Sequence, residues 1–81
     1  RGDGVPRSAL EAAKYYQKAA DLDFTPAKFN LGVLYYRGDE NFPSNMRKAV
    51  ELFTEVGENN SKALFNLAVM YQKGQGVSKK P

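Results

Sequence analysis

The chain has 81 residues, 42% of them hydrophobic and 26% charged, which is typical of one small globular domain. It contains neither Cys nor His, so disulfides and thiolate metal sites are excluded, and the commonest general base and metal ligand is missing. The net charge of +3 comes from 12 basic and 9 acidic residues. The basic residues are scattered and do not form a stripe, so nucleic-acid binding is not predicted. No apolar run is long enough to insert into a membrane.

The first predicted helix covers residues 8–22. Alanines and Tyr16 recur there at three- and four-residue spacing and mark one apolar face. Ser8 followed by Glu11 is the pattern of a capping box, so the helix is expected to begin at Ser8.

The second predicted helix covers residues 26–37. Thr25 is expected to be its N-cap, with Pro26 at the first helical position, and Gly38 is expected to end it. Its inward face is predicted to carry Leu31, Leu34 and Tyr35.

The third and fourth predicted helices cover residues 45–58 and 61–73. Asn45 and Ser61 are the expected N-caps, and Gly74 is expected to end the last helix. No segment alternates with a period of two, so no sheet is predicted. The predicted inward residues of these two helices are Ala49, Leu52, Phe53, Val56, Leu67, Met70 and Tyr71.

The second and fourth helices repeat one another. Residues 27–38 align with residues 63–74 at an offset of 36, with seven of twelve positions identical. Residues 11–18 align with residues 48–55 at an offset of 37. A fixed period in the mid-thirties predicts stacked helix pairs. Gly32, in the middle of its helix, is expected to allow a neighbouring helix to approach closely.

The sequences Leu31-Gly-Val-Leu-Tyr-Tyr-Arg-Gly38 and Leu67-Ala-Val-Met-Tyr-Gln-Lys-Gly74-Gln-Gly-Val77 resemble the Sel-one-like repeat, a relative of the tetratricopeptide repeat. Ala12-Ala-Lys-Tyr-Tyr-Gln-Lys-Ala-Ala20 resembles the second helix of that repeat. The resemblance implies an all-α fold, an α/α solenoid with a right-handed superhelix of about two helix-turn-helix repeats. Residues 38–42 depart from the glycine-rich loop of the family, and this loop is expected to be the least regular.

The chain begins and ends within the same kind of loop, so we expect residues 1–81 to be a section of a longer array. Arrays normally have three or more repeats with polar ends. The outermost helices are therefore expected to expose apolar surface, where further repeats or a second copy could pack end to end.

In relatives, the first helix of each pair lines a concave face that binds another protein. The resemblance therefore implies a protein-interaction scaffold or adaptor whose partner is a protein or peptide. The side-chain amides at this face suit an extended peptide, and Arg37 and Lys73 suit an acidic segment or a C-terminal carboxylate. The predicted partner-binding residues are Phe29, Asn30, Val33, Tyr36, Arg37, Phe65, Asn66, Val69, Gln72 and Lys73.

Other interpretations remain open. Asn30 and Asn66 could instead satisfy polar groups between helices, and the chain could be a structural spacer in a larger assembly. Some family members are adaptors in the endoplasmic-reticulum lumen for the degradation of misfolded proteins, and Asn59-Asn60-Ser61 is a glycosylation sequon. An intracellular location, in the cytosol or an organelle lumen, is favoured. No catalytic set, metal site or cofactor is predicted.

Overall fold

The computed structural model describes residues 8–77, which form four α-helices. They are α1 (Ala9–Asp21), α2 (Thr25–Arg37), α3 (Met46–Val56) and α4 (Ser61–Lys73), with a short 3-10 turn at Gly57–Asn59 after α3. Residues 8–77 contain no strand, only one isolated antiparallel bridge. The all-α prediction is confirmed. The loop within which the chain is predicted to begin, at residues 2–6, lies outside the described part of the chain.

Each helix packs on the helix that follows it: α1 on α2, α2 on α3, and α3 on α4. This is the arrangement of a helical solenoid, in which each repeat contacts only the repeats before and after it. By the internal repeat, α2 and α4 are equivalent, and we call each of them a helix A. We call α1 and α3, the second member of each pair, helix B.

The N-caps of α1 and α3 are side chains that the sequence predicts. The Ser8 hydroxyl accepts a hydrogen bond from the Glu11 N–H at 3.1 Å. The Asn45 side-chain oxygen accepts one from the Lys48 N–H, also at 3.1 Å. Each bond satisfies a backbone donor that the first turn of a helix leaves without a partner.

The other two predicted caps are wrong by one residue. Asn60, not Ser61, caps α4, and its side-chain oxygen accepts from the Ala63 N–H at 3.0 Å. Phe24, not Thr25, is the N-cap of α2, and it makes no side-chain cap hydrogen bond. Thr25 is the first residue of α2 and Pro26 is the second, so the fixed φ of Pro26 still suits the first turn of the helix.

The core consists of two clusters, one on each side of α2. The larger cluster lies where α3 meets α4, and Phe53 and Met70 in it are fully buried. The smaller one joins α1 to α2 through Ala13, Leu31 and Phe42. Because α2 has neighbours on both sides, its side chains pack in two directions.

The close approach predicted at Gly32 occurs between α2 and α3. A methyl group at Gly32 would lie 2.8 Å from Cε1 of the Phe53 ring. Real side chains are essentially never this close, so the glycine makes room for the ring. The Phe53 ring also lies 5.6 Å, centroid to centroid, from the ring of Phe29.

The loop after α2 is more regular than the sequence predicts. Asp39 and Phe42 exchange two backbone hydrogen bonds, of 2.8 and 3.2 Å, and the Asp39 carboxylate accepts from the Asn41 N–H. The turn buries Phe42, whose ring lies 5.0 Å from that of Tyr35. Gly38 enters this turn at φ 65°, where a side chain would meet the backbone of Ser44. The aromatic residue anchors a loop that lacks the glycine-rich pattern.

Tyr71 does not face inward as predicted, because its side chain is 55% exposed. Its equivalent in α2, Tyr35, is half-buried because Phe42 and Lys48 lie against it. No residue of the described chain occupies the corresponding place at α4, and Ala68 on the same helix is exposed as well.

Candidate functional site

The predicted partner-binding residues of α2 do not form a purely solvent-facing surface. Phe29, Val33 and Tyr36 are half-buried and pack against the cluster around Phe53. Asn30 and Arg37 are exposed. The three apolar side chains therefore belong partly to the core, and their exposed edges are what a partner could touch.

Two of their counterparts on α4, Phe65 and Gln72, are more accessible, whereas Asn66 is less accessible than Asn30. Phe65 is 68% exposed, and Gln72 and Lys73 are exposed too. Asn66 and Val69 are half-buried. The difference follows from packing, since Phe29 lies against Phe53 of α3 whereas Phe65 is largely open to solvent.

The structure brings three of the predicted residues together in one open depression of about 500 Å³. We call it the α2–α4 groove, and the other predicted residues lie outside it. The sequence analysis missed two of its members, although Lys62 stands three and four residues before Phe65 and Asn66, a spacing that places it on the same helix face. The groove is lined by Phe29, Ser61, Lys62, Phe65 and Asn66.

Within the described chain, the side chains of the two repeated asparagines do not hold neighbouring helices together. Neither Asn30 nor Asn66 makes a side-chain hydrogen bond with another of residues 8–77. A side-chain amide offers both donors and an acceptor, so each asparagine can bond the backbone of a bound segment.

Charge is divided unequally between the two kinds of helix. The A helices, α2 and α4, carry four basic residues and no acidic ones. The B helices, α1 and α3, carry both signs. Arg37, Lys62 and Lys73 form no ion pair with any residue between 8 and 77. The face formed by the A helices is therefore positively charged.

The remaining basic residue of the A helices is Lys28. Its positive charge is balanced by two carboxylates, which the sequence analysis did not predict. Its ammonium lies 2.6 Å from the Asp23 carboxylate and 3.6 Å from that of Glu55, and its side chain is only 14% exposed. The hydrogen bond with Asp23 raises the pKa of Lys28 and lowers the pKa of Asp23. Lys28 therefore ties the α1–α2 turn to α3 and is not available to a partner.

A larger depression, of about 640 Å³, lies on the far side of α2, where α1 meets the loop before α3. Leu10, Tyr15, Tyr35 and Phe42 give it an apolar lining, with Lys14 and Lys18 among the polar residues. Leu10 and Tyr15 are 45% and 67% exposed. The sequence analysis assigned no role to this surface.

Within residues 8–77, no group of three or more acidic side chains is placed to hold a metal ion. None of the helices described is long and apolar enough to cross a membrane.

Helix pairs that repeat every 36 residues and stack one on the next define an α/α solenoid repeat protein. The Sel1 repeat model matches residues 1–24, 25–60 and 61–81, and the chain belongs to the Sel1 repeat family. Residues 25–60 hold one complete repeat, with α2 as helix A and α3 as helix B. Sel1 repeats generally mediate protein–protein interactions and form a non-catalytic scaffold family.

Three similar proteins illustrate the relationship. The chain is 33% identical over 72 residues to cytochrome c oxidase assembly factor 7 of Xenopus tropicalis and to assembly factor 7A of Xenopus laevis. These alignments cover 88% of the chain and 31% of each relative. The crystal structure of a Sel1 repeat protein from Oxalobacter formigenes matches 98% of the chain with a TM-score of 0.82 and 35% identity. It is covered to 32%, so the chain spans about a third of the length of these relatives.

Proposed function

We propose that the chain is a protein-interaction scaffold that binds an acidic segment of another protein across the face of its A helices. The observation that carries this proposal is the α2–α4 groove, where the exposed Phe65 ring, the Asn66 amide and the Lys62 ammonium lie side by side. Each of the three groups suits a different part of a peptide.

The apolar part of the groove consists of Phe29 and Phe65. Phe29 is held against Phe53, so it is a fixed wall, whereas the Phe65 ring is largely in water. Burying an exposed aromatic side chain under an apolar residue of the partner gives the kind of contact that contributes most at protein interfaces.

The polar part consists of Asn66 and Lys62. The Asn66 amide can bond the partner's backbone, and the Lys62 ammonium can bond a carboxylate. Arg37 and Lys73 extend the positive charge along the same two helices, which would raise the rate at which an acidic segment associates.

Binding of matched short peptides to the purified chain tests the proposal. A peptide with one large apolar residue flanked by aspartates should bind, and versions with asparagines or with alanine at the apolar position should bind more weakly. Affinity for the acidic peptide should fall as salt is added, because exposed charges are screened.

Two charge reversals locate the site. Lys62→Glu should weaken binding severalfold, since an exposed ion pair is worth about 0.2–1 kcal/mol and reversal adds repulsion. It should not unfold α4, because a carboxylate is favourable in the first turn of a helix. Lys18→Glu makes the same charge change on α1 and is the control. Equal weakening by both variants, or a preference for basic peptides, would contradict the proposal.

The spacer alternative is tested with a known partner of the protein. Substituting Asn30, Arg37, Asn66 and Lys73 together removes both repeated asparagines and two of the exposed basic groups of the A-helix face. Unchanged binding of the partner would reject the groove and leave the spacer role.

A second candidate function rests on the similarity to the two assembly factors. In that case the bound segment would belong to a subunit of a complex under construction. The test is binding of the chain to isolated subunits of cytochrome c oxidase. Binding that the fourfold variant abolishes would support this role, and its absence for every subunit would remove it.

The luminal adaptor remains a third candidate, favoured only by the sequon. Asn59 is exposed in the 3-10 turn after α3, so a glycan could be accommodated there. Mass spectrometry of protein from its natural source decides this candidate, since an unmodified Asn59 would remove its support.

A further inference from the structure

The depression of about 640 Å³ on the far side of α2 is separate from the α2–α4 groove. It lies where α1 faces the loop of residues 38–42. Leu10 and the edges of two packed rings, Tyr35 and Phe42, give it an apolar surface, and charged side chains of α1 stand around it. Its volume is within the range of about 300–1,000 Å³ that is usual for small-molecule sites.

The loop of residues 38–42 keeps this depression open, because it contains no glycine after Gly38. At the equivalent place after α4, Gly76 brings backbone against backbone, and a side chain there would lie 2.5 Å from the Met46 carbonyl oxygen of α3. The loop after α2 instead reaches α1 through the Phe42 ring, which packs with Ala13. A ring between the loop and the helix holds the two backbones apart, and the depression is the space beside that ring.

The depression does not depend on the outer face of α1. The exposed residues of α1 that line it have counterparts on α3 at the offset of 37, and α3 has a neighbouring helix on each side. Tyr15 is not counted in the site, because its counterpart Leu52 is half-buried. The other counterparts are exposed although α3 lies between two helices, so these positions face solvent within an array as well. They are Arg47, Lys48, Glu51, Thr54 and Glu55.

The charges around the depression favour a ligand with one negative group. Lys14 and Lys18 are four residues apart and therefore lie on the same side of α1. Lys14 has the Glu11 carboxylate at 3.8 Å, whereas Lys18 forms no ion pair within the part of the chain that the structure describes. Two ammonium groups and one carboxylate leave one positive charge without compensation, and Glu11 would repel a second negative group.

We propose that this depression binds a small amphipathic carboxylate, a molecule with an apolar body and a single negative group. The apolar body packs on Leu10 and on the edges of Tyr35 and Phe42, and the carboxylate accepts a hydrogen bond from the Lys18 ammonium. The aspartate-flanked peptide of the α2–α4 groove has more than one negative group, so the two sites take different ligands.

The test uses the complete 81-residue chain and three probes that share one aromatic body. They are naphthoate, the neutral naphthamide and the cation naphthylmethylammonium. Titrations followed by NMR spectra of the backbone amides show which residues each probe touches. Naphthoate should shift amides of residues 10–18 and 38–42 together, and it should bind severalfold more tightly than naphthamide or the cation. Shifts confined to other residues, or equal affinities for the three probes, would overturn the proposal.

The apolar contact is tested at Leu10. Leu10→Gln removes the apolar side chain and should weaken naphthoate and naphthamide alike, by severalfold. Leu64→Gln is the matched control, because Leu64 near the start of α4 is 44% exposed and Leu10 near the start of α1 is 45% exposed. Glutamine is a good helix former, so both variants should fold, as checked by circular dichroism. Equal affinities for naphthoate in the two variants would contradict the assignment of Leu10.

The charged contact is tested at Lys18. Lys18→Gln should remove the advantage of naphthoate over naphthamide and leave the affinity for naphthamide unchanged. Lys62→Gln makes the same change in the α2–α4 groove, and it should weaken the acidic peptide but not naphthoate. Failure of the peptide-binding proposal and failure of this one are therefore distinguishable. An advantage of naphthoate that survives in Lys18→Gln, or that both variants lose equally, would overturn the site.

Discussion

Gly32 is the residue at which two physical effects oppose one another. Alanine in a helix interior is favoured over glycine by about 1 kcal/mol. A methyl group here would meet the fully buried Phe53 ring at 2.8 Å, and overpacking of a core costs about 1–3 kcal/mol. Because the ring is fully buried among its neighbours, packing should win.

Gly32→Ala should therefore destabilise the chain by about 1 kcal/mol, as measured by urea denaturation. Ala68→Gly at the equivalent exposed site is the control, and it should cost about 1 kcal/mol through helix propensity alone. The double variant Gly32→Ala, Phe53→Leu should lose less stability than the sum of the losses of the two single variants. Stabilisation by Gly32→Ala would show that the close contact is absent in solution.

The ion pair of Lys28 makes stability depend on pH at both extremes. The hydrogen bond from Lys28 and the positive charge of Lys28 lower the pKa of Asp23 from 3.8. The stability that the Asp23 carboxylate contributes is therefore present above pH 3.8 and is lost as the pH falls through the folded-state pKa. Lys28 has its pKa raised from 10.5, chiefly by the same hydrogen bond. Its contribution is present below 10.5 and lost as the pH rises through the folded-state pKa.

Asp23→Asn should lower the free energy of unfolding at neutral pH and flatten its decrease in acid. Asparagine is the suitable replacement, because Asp23 has a positive φ of 69°, which asparagine tolerates. Glu58→Gln, at an exposed carboxylate, is the control and should leave the acid limb unchanged. An acid limb of equal slope in Asp23→Asn and the unchanged chain would contradict the role of this pair.

At the scale of a helix, Asn60 and Ser61 at the start of α4 are both residues that favour the N-cap position, and only Asn60 occupies it. Asn60→Ala should cost about 1 kcal/mol, the usual effect of losing a side-chain cap. Ser61→Ala should be nearly neutral, since Ser61 lies inside α4 and accepts no cap hydrogen bond. Thermal unfolding of both variants measures the difference, and a larger loss from Ser61→Ala would restore the prediction made from the sequence.

The elements show which features the sequence could predict. Helix positions follow from apolar spacing and from Ser8 and Asn45, because those signals are local. Asn60 and Ser61 are both good caps, and local preference does not choose between them. Phe42 looked like part of an irregular loop, since its burial depends on Tyr35 and on Ala13 of α1, contacts that no local pattern reveals.

The site was predictable in part for the same reason. The repeat at an offset of 36 placed Phe29, Phe65 and Asn66 on equivalent faces, and the groove joins them. Burial of Val33 and Tyr36 against the Phe53 cluster depends on how α3 and α4 pack, and the length of the repeat does not determine that packing. The neutralisation of Lys28 likewise needs Glu55, which is 27 residues further along the chain.

Over the whole molecule, apolar burial is unequal. The only buried side chains of α1 are Ala13 and Ala20, whereas α3 buries Ala49, Phe53 and Val56. In a linear array each helix is held by its neighbours alone, and a helix with few buried apolar contacts opens at the lowest free energy. We therefore expect α1 to open locally before α3 does.

Amide hydrogen exchange at low protein concentration should show faster exchange in α1 than in α3. Equal protection of both helices would mean that residues 8–77 unfold as one unit.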